Sequence, residues 1–258
     1  MTWPKSIEQW RRFVLWECKD IPPDLVLAII QNESGGVVGA PGRNKTQCGQ
    51  VPTITGEPRE ICRAYGLMQT IPATVQTYNQ AQSDPARRAT LEDLGGRDER
   101  AARLQIAIGC FYLAFVNHFL HKNFPEAAPA PTLAEAKPDQ VRFALAGYAV
   151  GHNEIGEKLE TLAKAGRPLT FANLKKYFPN WGRNQAGRWI NRPLFYAQRV
   201  GDRYQANKTA SYTGGPAGHL AARVKDKIGG GGVVVALALA AFGGWKYYQN
   251  RKAENENT

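Results

Sequence analysis

The sequence predicts a mainly α-helical protein, and three observations point that way. Apolar residues recur at helical spacing over 24–33 and again over 104–119. Prolines stand where helices would open, at Pro22-Pro23 and at Pro72. No strand-like alternation of useful length is present, and no internal repeat. A hydrophobic content of 43% over 258 residues is enough for one well-cored domain, alone or with appendages.

Residues 1–20 carry Lys5, Glu8, Arg11, Arg12, Glu17, Lys19 and Asp20, which leaves no uninterrupted apolar run for a secretory signal. They read as an amphipathic helix with Ser6 and Gln9 as a capping box and Ile7, Trp10 and Val14 along one side. Pro22-Pro23-Asp24 opens the first strong helix, 24–33. Leu25, Ile29 and Ile30 precede Glu33 by eight, four and three residues and share its face, and Ser34-Gly35-Gly36 follows. An acid so placed is either an exposed helix end with a glycine cap or a carboxyl held out of water.

Residues 35–65, rich in Gly, Pro, Thr and Asn, read as a long loop. Order resumes over 64–80, where Thr70 or Pro72 opens a helix. Leu104, Ile108, Phe111, Phe115 and Phe119 keep a 4-3-4-4 spacing that marks a long buried helix. Pro125–Pro138 holds four prolines and reads as a surface excursion. Helical patterns return at 139–149, 154–165 and 192–206, and 207–219 reads as a linker.

The far end differs. Eighteen residues from Ile228 to Trp245 carry no charge, and Val233–Phe242 is wholly apolar. Lys225 and Lys227 flank this run on one side, and Lys246, Arg251 and Lys252 on the other, with Trp245, Tyr247 and Tyr248 at belt positions. The alternatives are a membrane span and a glycine-rich packing helix, and the first is favoured. The organisation expected is a helical domain over 1–206, a linker over 207–227, a transmembrane helix over 228–248 and a polar tail over 249–258.

The net charge of +11 and a pI near 9.6 suit nucleic acid, an anionic membrane or an acidic polymer such as the bacterial wall. Four cysteines fit no zinc spacing and no CxxC; Cys48 and Cys62 flank a loop that a disulfide would close. His118 and His121 stand three apart without a third ligand at suitable spacing, so no metal and no cofactor is expected.

Five stretches together carry a family likeness. They are Glu33-Ser34-Gly35-Gly36; Tyr65-Gly66-Leu67-Met68-Gln69 with Ile71-Pro72-Ala73-Thr74; Ile106 to Leu113 with Gly109 and Tyr112-Leu113; Ala146-Gly147-Tyr148-Ala149-Val150-Gly151; and Phe195 to Val200 around Tyr196. In this order, over roughly 22–206, the chain resembles the soluble lytic transglycosylase domain, related to goose-type lysozyme. The resemblance implies a lysozyme-like helical fold and a peptidoglycan substrate, cut between N-acetylmuramic acid and N-acetylglucosamine. It implies Glu33 as the single catalytic acid, assisted by the substrate's N-acetyl group, with the muramic 6-hydroxyl closing a 1,6-anhydro ring. Ser34 then supports the glutamate, Met68 and Gln69 line the groove, Tyr148 points towards the carboxyl or substrate, and Tyr196 assists from the last helix.

Two departures stand out: Ala149 replaces the usual Asn, and the connection from Glu33 to Gly66 is longer than usual. Should Asp20, Asp24, Glu57 or Glu60 serve as a second acid, the enzyme would be a muramidase. Residues 158–208 hold eleven Lys or Arg against two acids, so a nucleic-acid surface is a competing reading, and an inactive structural virion protein is a third. The missing signal and the apolar tail point to a bacteriophage protein carried in the virion, membrane-associated and in contact with other virion proteins. In that setting it would open the host wall during genome delivery; a lysis or conjugation enzyme is the alternative.

Overall fold

The computed structural model describes residues 3–182 and 192–212, with backbone only at 43–47 and 209–212. Most of the described chain up to Lys208 lies in one compact unit. It is mainly helical, as the sequence predicts. Two short helices, α1 (Lys5–Glu8) and α2 (Arg11–Glu17), stand in place of one amphipathic helix. The expected capping box does not form: Pro4 is the N-cap, and the Gln9 amide donates to the Ser6 carbonyl instead. Helix α3 (Pro23–Glu33) follows, starting on Pro22-Pro23. Asp24 in its first turn is buried and accepts hydrogen bonds from the Trp3 indole and from Arg11, each at 2.8 Å.

The stretch expected as a loop contains an antiparallel hairpin, β1 (Pro41–Pro52) with β2 (Pro58–Tyr65). Gly56, with φ of 89°, completes its tip, where Thr53 Oγ1 bonds the Glu57 carbonyl at 2.8 Å. The side chains of β2 are largely exposed, and register breaks occur between Pro41 and Gly49. Val51 and Ala64 are buried, but they are too few to make an apolar alternation that can be read. Cys48–Cys62 ties the two strands together.

Beyond the hairpin come α4 (Pro72–Ala81), a 3-10 turn (Pro85–Arg87), α5 (Leu91–Gly95) and the long α6 (Glu99–Asn123). Then follow α7 (Pro138–Val150), α8 (His152–Lys164), α9 (Phe171–Tyr177) and α10 (Pro193–Tyr212). Helix α10 runs through Tyr212, beyond the expected linker start at 207. The Pro125–Pro138 stretch is not purely surface. Ala128 and Leu133 are buried, and Gln140 bonds both Asn117 and the Ala130 carbonyl, tucking the segment against α6.

Helix α6 is the spine. Ile106, Leu113, Val116 and Leu120 face a core built with α3, α7 and α8, while Leu104, Ala107 and Ile108 face a smaller core with α4 and the hairpin. Cys18–Cys110 joins the end of α2 to its middle, where Arg103 also holds the nearly buried Glu17 at 2.7 Å. Among the described residues, α6 is the one helix long and apolar enough to cross a membrane, but 56% of its apolar window is buried in the protein, as befits a core helix. The expected span at 228–248 lies outside the described residues.

Candidate active site

Helix α3 stops at Glu33 because the next residues leave helical geometry. Gly35 and Gly36 take φ of 64° and 88°. A Cβ on Gly36 would lie 2.4 Å from the Ser6 carbonyl oxygen, so only glycine lets α1 pack here. Ser34 Oγ accepts the Gly36 N–H at 3.1 Å and lies 2.9 Å from the Leu67 carbonyl as donor. The end of α3 is thereby tied to the turn Gly66–Gln69, and in this sense Ser34 supports the glutamate.

Two other helices hold that turn, and its own backbone closes it. Buried Gln105 of α6 accepts the Leu67 N–H at 3.0 Å and the Gly39 N–H at 3.2 Å, while its amide donates to the carbonyls of Asp93, Leu94 and Gly96. Gly66, at φ of 83°, passes so close to Gln105 that a Cβ would meet its side chain at 2.6 Å. Tyr148 of α7 donates to the Met68 carbonyl at 2.7 Å. Paired backbone bonds between Tyr65 and Thr70, each 3.0 Å, close the turn at its base, next to the start of α4.

Glu33 itself is partly buried. Leu25, Ile29, Ile30 and Leu67 around it have no solvent exposure. Loss of water pushes its pKa up to about 7, against smaller opposing effects of the Tyr196 hydroxyl, the Asn32 side chain and the Arg199 charge. The Tyr196 hydroxyl is buried without a partner in hydrogen-bond geometry, yet lies close enough to the carboxyl to favour its charged form. Burial and the neighbouring Glu33 charge hold both Tyr148 and Tyr196 well above the ordinary phenol range. Both remain neutral donors at any working pH.

A groove of about 1320 Å³ opens beside Tyr148 and Gln69. Thr74 and Thr77 of α4, Phe111, Tyr112 and Phe115 of α6, and Ala149 at the end of α7 form its walls. Tyr112 stacks on Phe115 at 6.3 Å and tilts against Tyr148 at 5.7 Å. The far end is made by His152, Glu154 and Glu157 of α8 with Phe178 and Trp181, whose indole donates to Glu154. Burial lowers the pKa of His152.

Of the residues expected at the site, Glu33, Ser34, Tyr148 and Tyr196 converge on the acid or on the turn beside it. Gln69 lines the groove, but its amide donors go to the carbonyls of Ala40 at 2.8 Å and Gly66 at 3.0 Å. Met68 is corrected: its side chain is fully buried against Gly109 and only its backbone serves the site. The four acids weighed as partners lie elsewhere. Asp24 is tied to Trp3 and Arg11, Asp20 lines a separate cavity, and Glu57 and Glu60 are exposed on the hairpin. The groove acids are Glu154 and Glu157, which sequence pattern did not single out. Phe111 and Phe115, expected in the core, line the groove, Phe111 while also packing on the smaller core; the main-core face of α6 past this point is Leu113, Val116 and Leu120. Gln105 carried no signal at all. Among the described residues no cluster of His, Cys, Asp or Glu is arranged to hold a metal.

The family model for the transglycosylase SLT domain matches residues 16–167. That span takes in Glu33, the Gly66–Gln69 turn and Tyr148, and ends before α10 and Tyr196. No curated protein and no solved structure matches the chain.

Proposed function

The chain belongs to the transglycosylase SLT domain family, whose members are lytic transglycosylases acting on peptidoglycan, and we propose that Glu33 is its catalytic acid and base. A proton from Glu33 goes to the oxygen linking N-acetylmuramic acid to N-acetylglucosamine, and the bond from that oxygen to the muramic C1 breaks. The N-acetyl oxygen of the substrate supports C1 meanwhile. The Glu33 carboxylate then takes the proton of the muramic 6-hydroxyl, whose oxygen closes on C1 as a 1,6-anhydro ring. Water is not a reactant.

The observation that carries this reading is a single carboxyl at the end of an apolar helix, close to Tyr148 of the groove wall, with its pKa pushed up to about 7. Such an acid is protonated often enough to donate, and basic enough to accept, near neutral pH. Tyr196 offers it a buried hydroxyl, and Ser34 and Tyr148 fix the adjoining turn. Glu33→Gln keeps the shape and cannot donate. Purified wall should then be cleared slower by orders of magnitude, while the circular dichroism spectrum is unchanged. Clearing at near wild-type rate removes Glu33 from the chemistry.

A hydrolytic outcome is the second reading, favoured by one feature: Glu157 lines the groove, where a carboxylate can activate water. For biological setting, we infer a bacteriophage virion enzyme that opens the wall during genome delivery and is held to a membrane through 228–248. The uncharged run at 228–245 and the basic balance of the chain support that setting. Flotation of the full chain with liposomes, lost on truncation after Tyr212, is the expected result; a full chain that stays in the aqueous fraction opposes it.

A further inference from the structure

Arg199 lies on α10, one turn beyond Tyr196. Its guanidinium donates a hydrogen bond to Oδ1 of Asn32 and sits 5.4 Å from the centroid of the Phe195 ring. Asn32 immediately precedes Glu33 on α3, and its side chain favours the charged form of the Glu33 carboxyl. The cation is therefore anchored from two sides, by an amide on α3 and an aromatic face on α10. An exposed arginine otherwise ranges over many rotamers, and two anchors remove that freedom. Among the described residues no carboxylate forms an ion pair with Arg199. Asp202, three residues on, is engaged by Arg142 and Gln198.

A single-acid mechanism makes opposite demands on one group. Apolar surroundings keep Glu33 protonated for its first task, but they leave the carboxylate poorly solvated before its second. Tyr148 from α7 and Tyr196 from α10 face the acid as neutral phenols, and Asn32 faces it from its own helix. Arg199 is the positive charge acting on it, with Arg203 behind Arg199 on the same helix.

We propose that Arg199 is a positioning residue: clamped by Asn32 and Phe195, it steadies the Glu33 carboxylate after the acid has given up its proton and before it takes the next from the muramic 6-hydroxyl. The proposal rests on the reading of Glu33 as acid and base, but the physical coupling it asserts can be measured without turnover. Because Arg199 acts through partly solvated space, salt should weaken the coupling, the screening length being about 10 Å at 0.1 M and about 3 Å at 1 M.

The test is a carbon-13 NMR titration of the Glu33 side-chain carboxyl in the full chain, as wild type, Arg199→Gln and Arg199→Lys, at low salt and at about 1 M salt. Removing a cation makes the anion less favourable, so Arg199→Gln should raise the Glu33 midpoint by roughly half a pH unit or more at low salt. Arg199→Lys should fall nearer the wild type. High salt should move the wild-type midpoint up towards that of Arg199→Gln and move the variant less. Equal midpoints for wild type and Arg199→Gln overturn the proposal. If Arg199→Gln does not fold, the wild-type salt series decides alone, and a salt-independent midpoint overturns the proposal equally. Failure of the catalytic reading is a different result, namely wall cleavage that survives Glu33→Gln.

Discussion

The Tyr148 hydroxyl donates a 2.7 Å hydrogen bond to the Met68 backbone carbonyl, joining the end of α7 to the turn beside Glu33. The Tyr148 hydroxyl thus braces backbone, and the nearby Glu33 charge helps to hold its phenol neutral. Tyr148→Phe leaves the Met68 carbonyl unpaired in a buried setting, which costs about 1–2 kcal/mol. Urea unfolding should show that loss, and wall clearing should slow by roughly tenfold as the turn loosens, about the rate equivalent of 1.4 kcal/mol. A variant of full stability and activity would remove the brace from consideration.

Gly109 is a packing requirement for the same turn. A Cβ there would lie 2.4 Å from Met68 Sδ and 2.7 Å from Met68 Cβ. Met68 must then move, and the turn bearing Gln69 moves with it. Gly109→Ala should lose about 1–3 kcal/mol despite the better helix propensity of alanine. Gly35→Ala is the contrasting case, because no atom lies within 4 Å of the added Cβ and only its φ of 64° is strained. Thermal unfolding of the two variants measures the difference, and equal losses would contradict the packing claim.

The two disulfides differ in what they constrain. Cys18–Cys110 spans a sequence separation of 92 and Cys48–Cys62 one of 14. Loop-closure entropy makes the first worth roughly 4–5 kcal/mol and the second about 3 kcal/mol. Cys18→Ser with Cys110→Ser should therefore lower the melting temperature more than the hairpin pair does, and reductant should have little further effect on a chain lacking both. A larger loss from the hairpin pair would show that the ribbon matters more to the fold than its exposure implies.

Glu33 makes stability depend on pH. Its pKa is 4.5 when unperturbed and about 7 in the folded protein. Below the lower value the carboxyl is protonated in both states and its burial carries no ionic penalty. Between the two the unfolded chain ionises first, so stability falls as pH rises, and the full penalty stands above 7. At roughly 1.4 kcal/mol per pH unit its upper bound is about 3 kcal/mol. Glu33→Gln should thus be more stable than wild type at pH 8 by about 1–3 kcal/mol and match it near pH 4. Melting scans at the two pH values check this, and a variant no more stable at pH 8 would mean the carboxyl is well solvated.

The position of Glu33 at the end of an apolar helix face was legible because helix periodicity and a glycine stop are local signals, which left an exposed end and a buried carboxyl both open. Glu33 on the face of Leu25, Ile29 and Ile30 could be placed without knowing any neighbour. Its partners could be placed only through motif likeness, since Tyr148 and Tyr196 reach it from 115 and 163 residues away in the sequence. What stayed hidden depends on tertiary position. Cys18 meets Cys110 only because α2 crosses α6. Gln105 reads as an ordinary polar helix residue, yet it holds two backbone N–H groups and three carbonyls. Phe115 has the periodicity of a core residue and lies on the groove, because an apolar stripe does not say whether protein or sugar will cover it.

The most direct measurement is mass spectrometry of the fragments released from purified peptidoglycan by the full chain, with Glu33→Gln in parallel. Intramolecular closure leaves muramic ends that are lighter by one water than hydrolysis products. Fragments with 1,6-anhydromuramic ends, absent from the Glu33→Gln digest, are the expected result. Predominantly reducing muramic ends would contradict it, and would turn attention to Glu157 as the group that activates water.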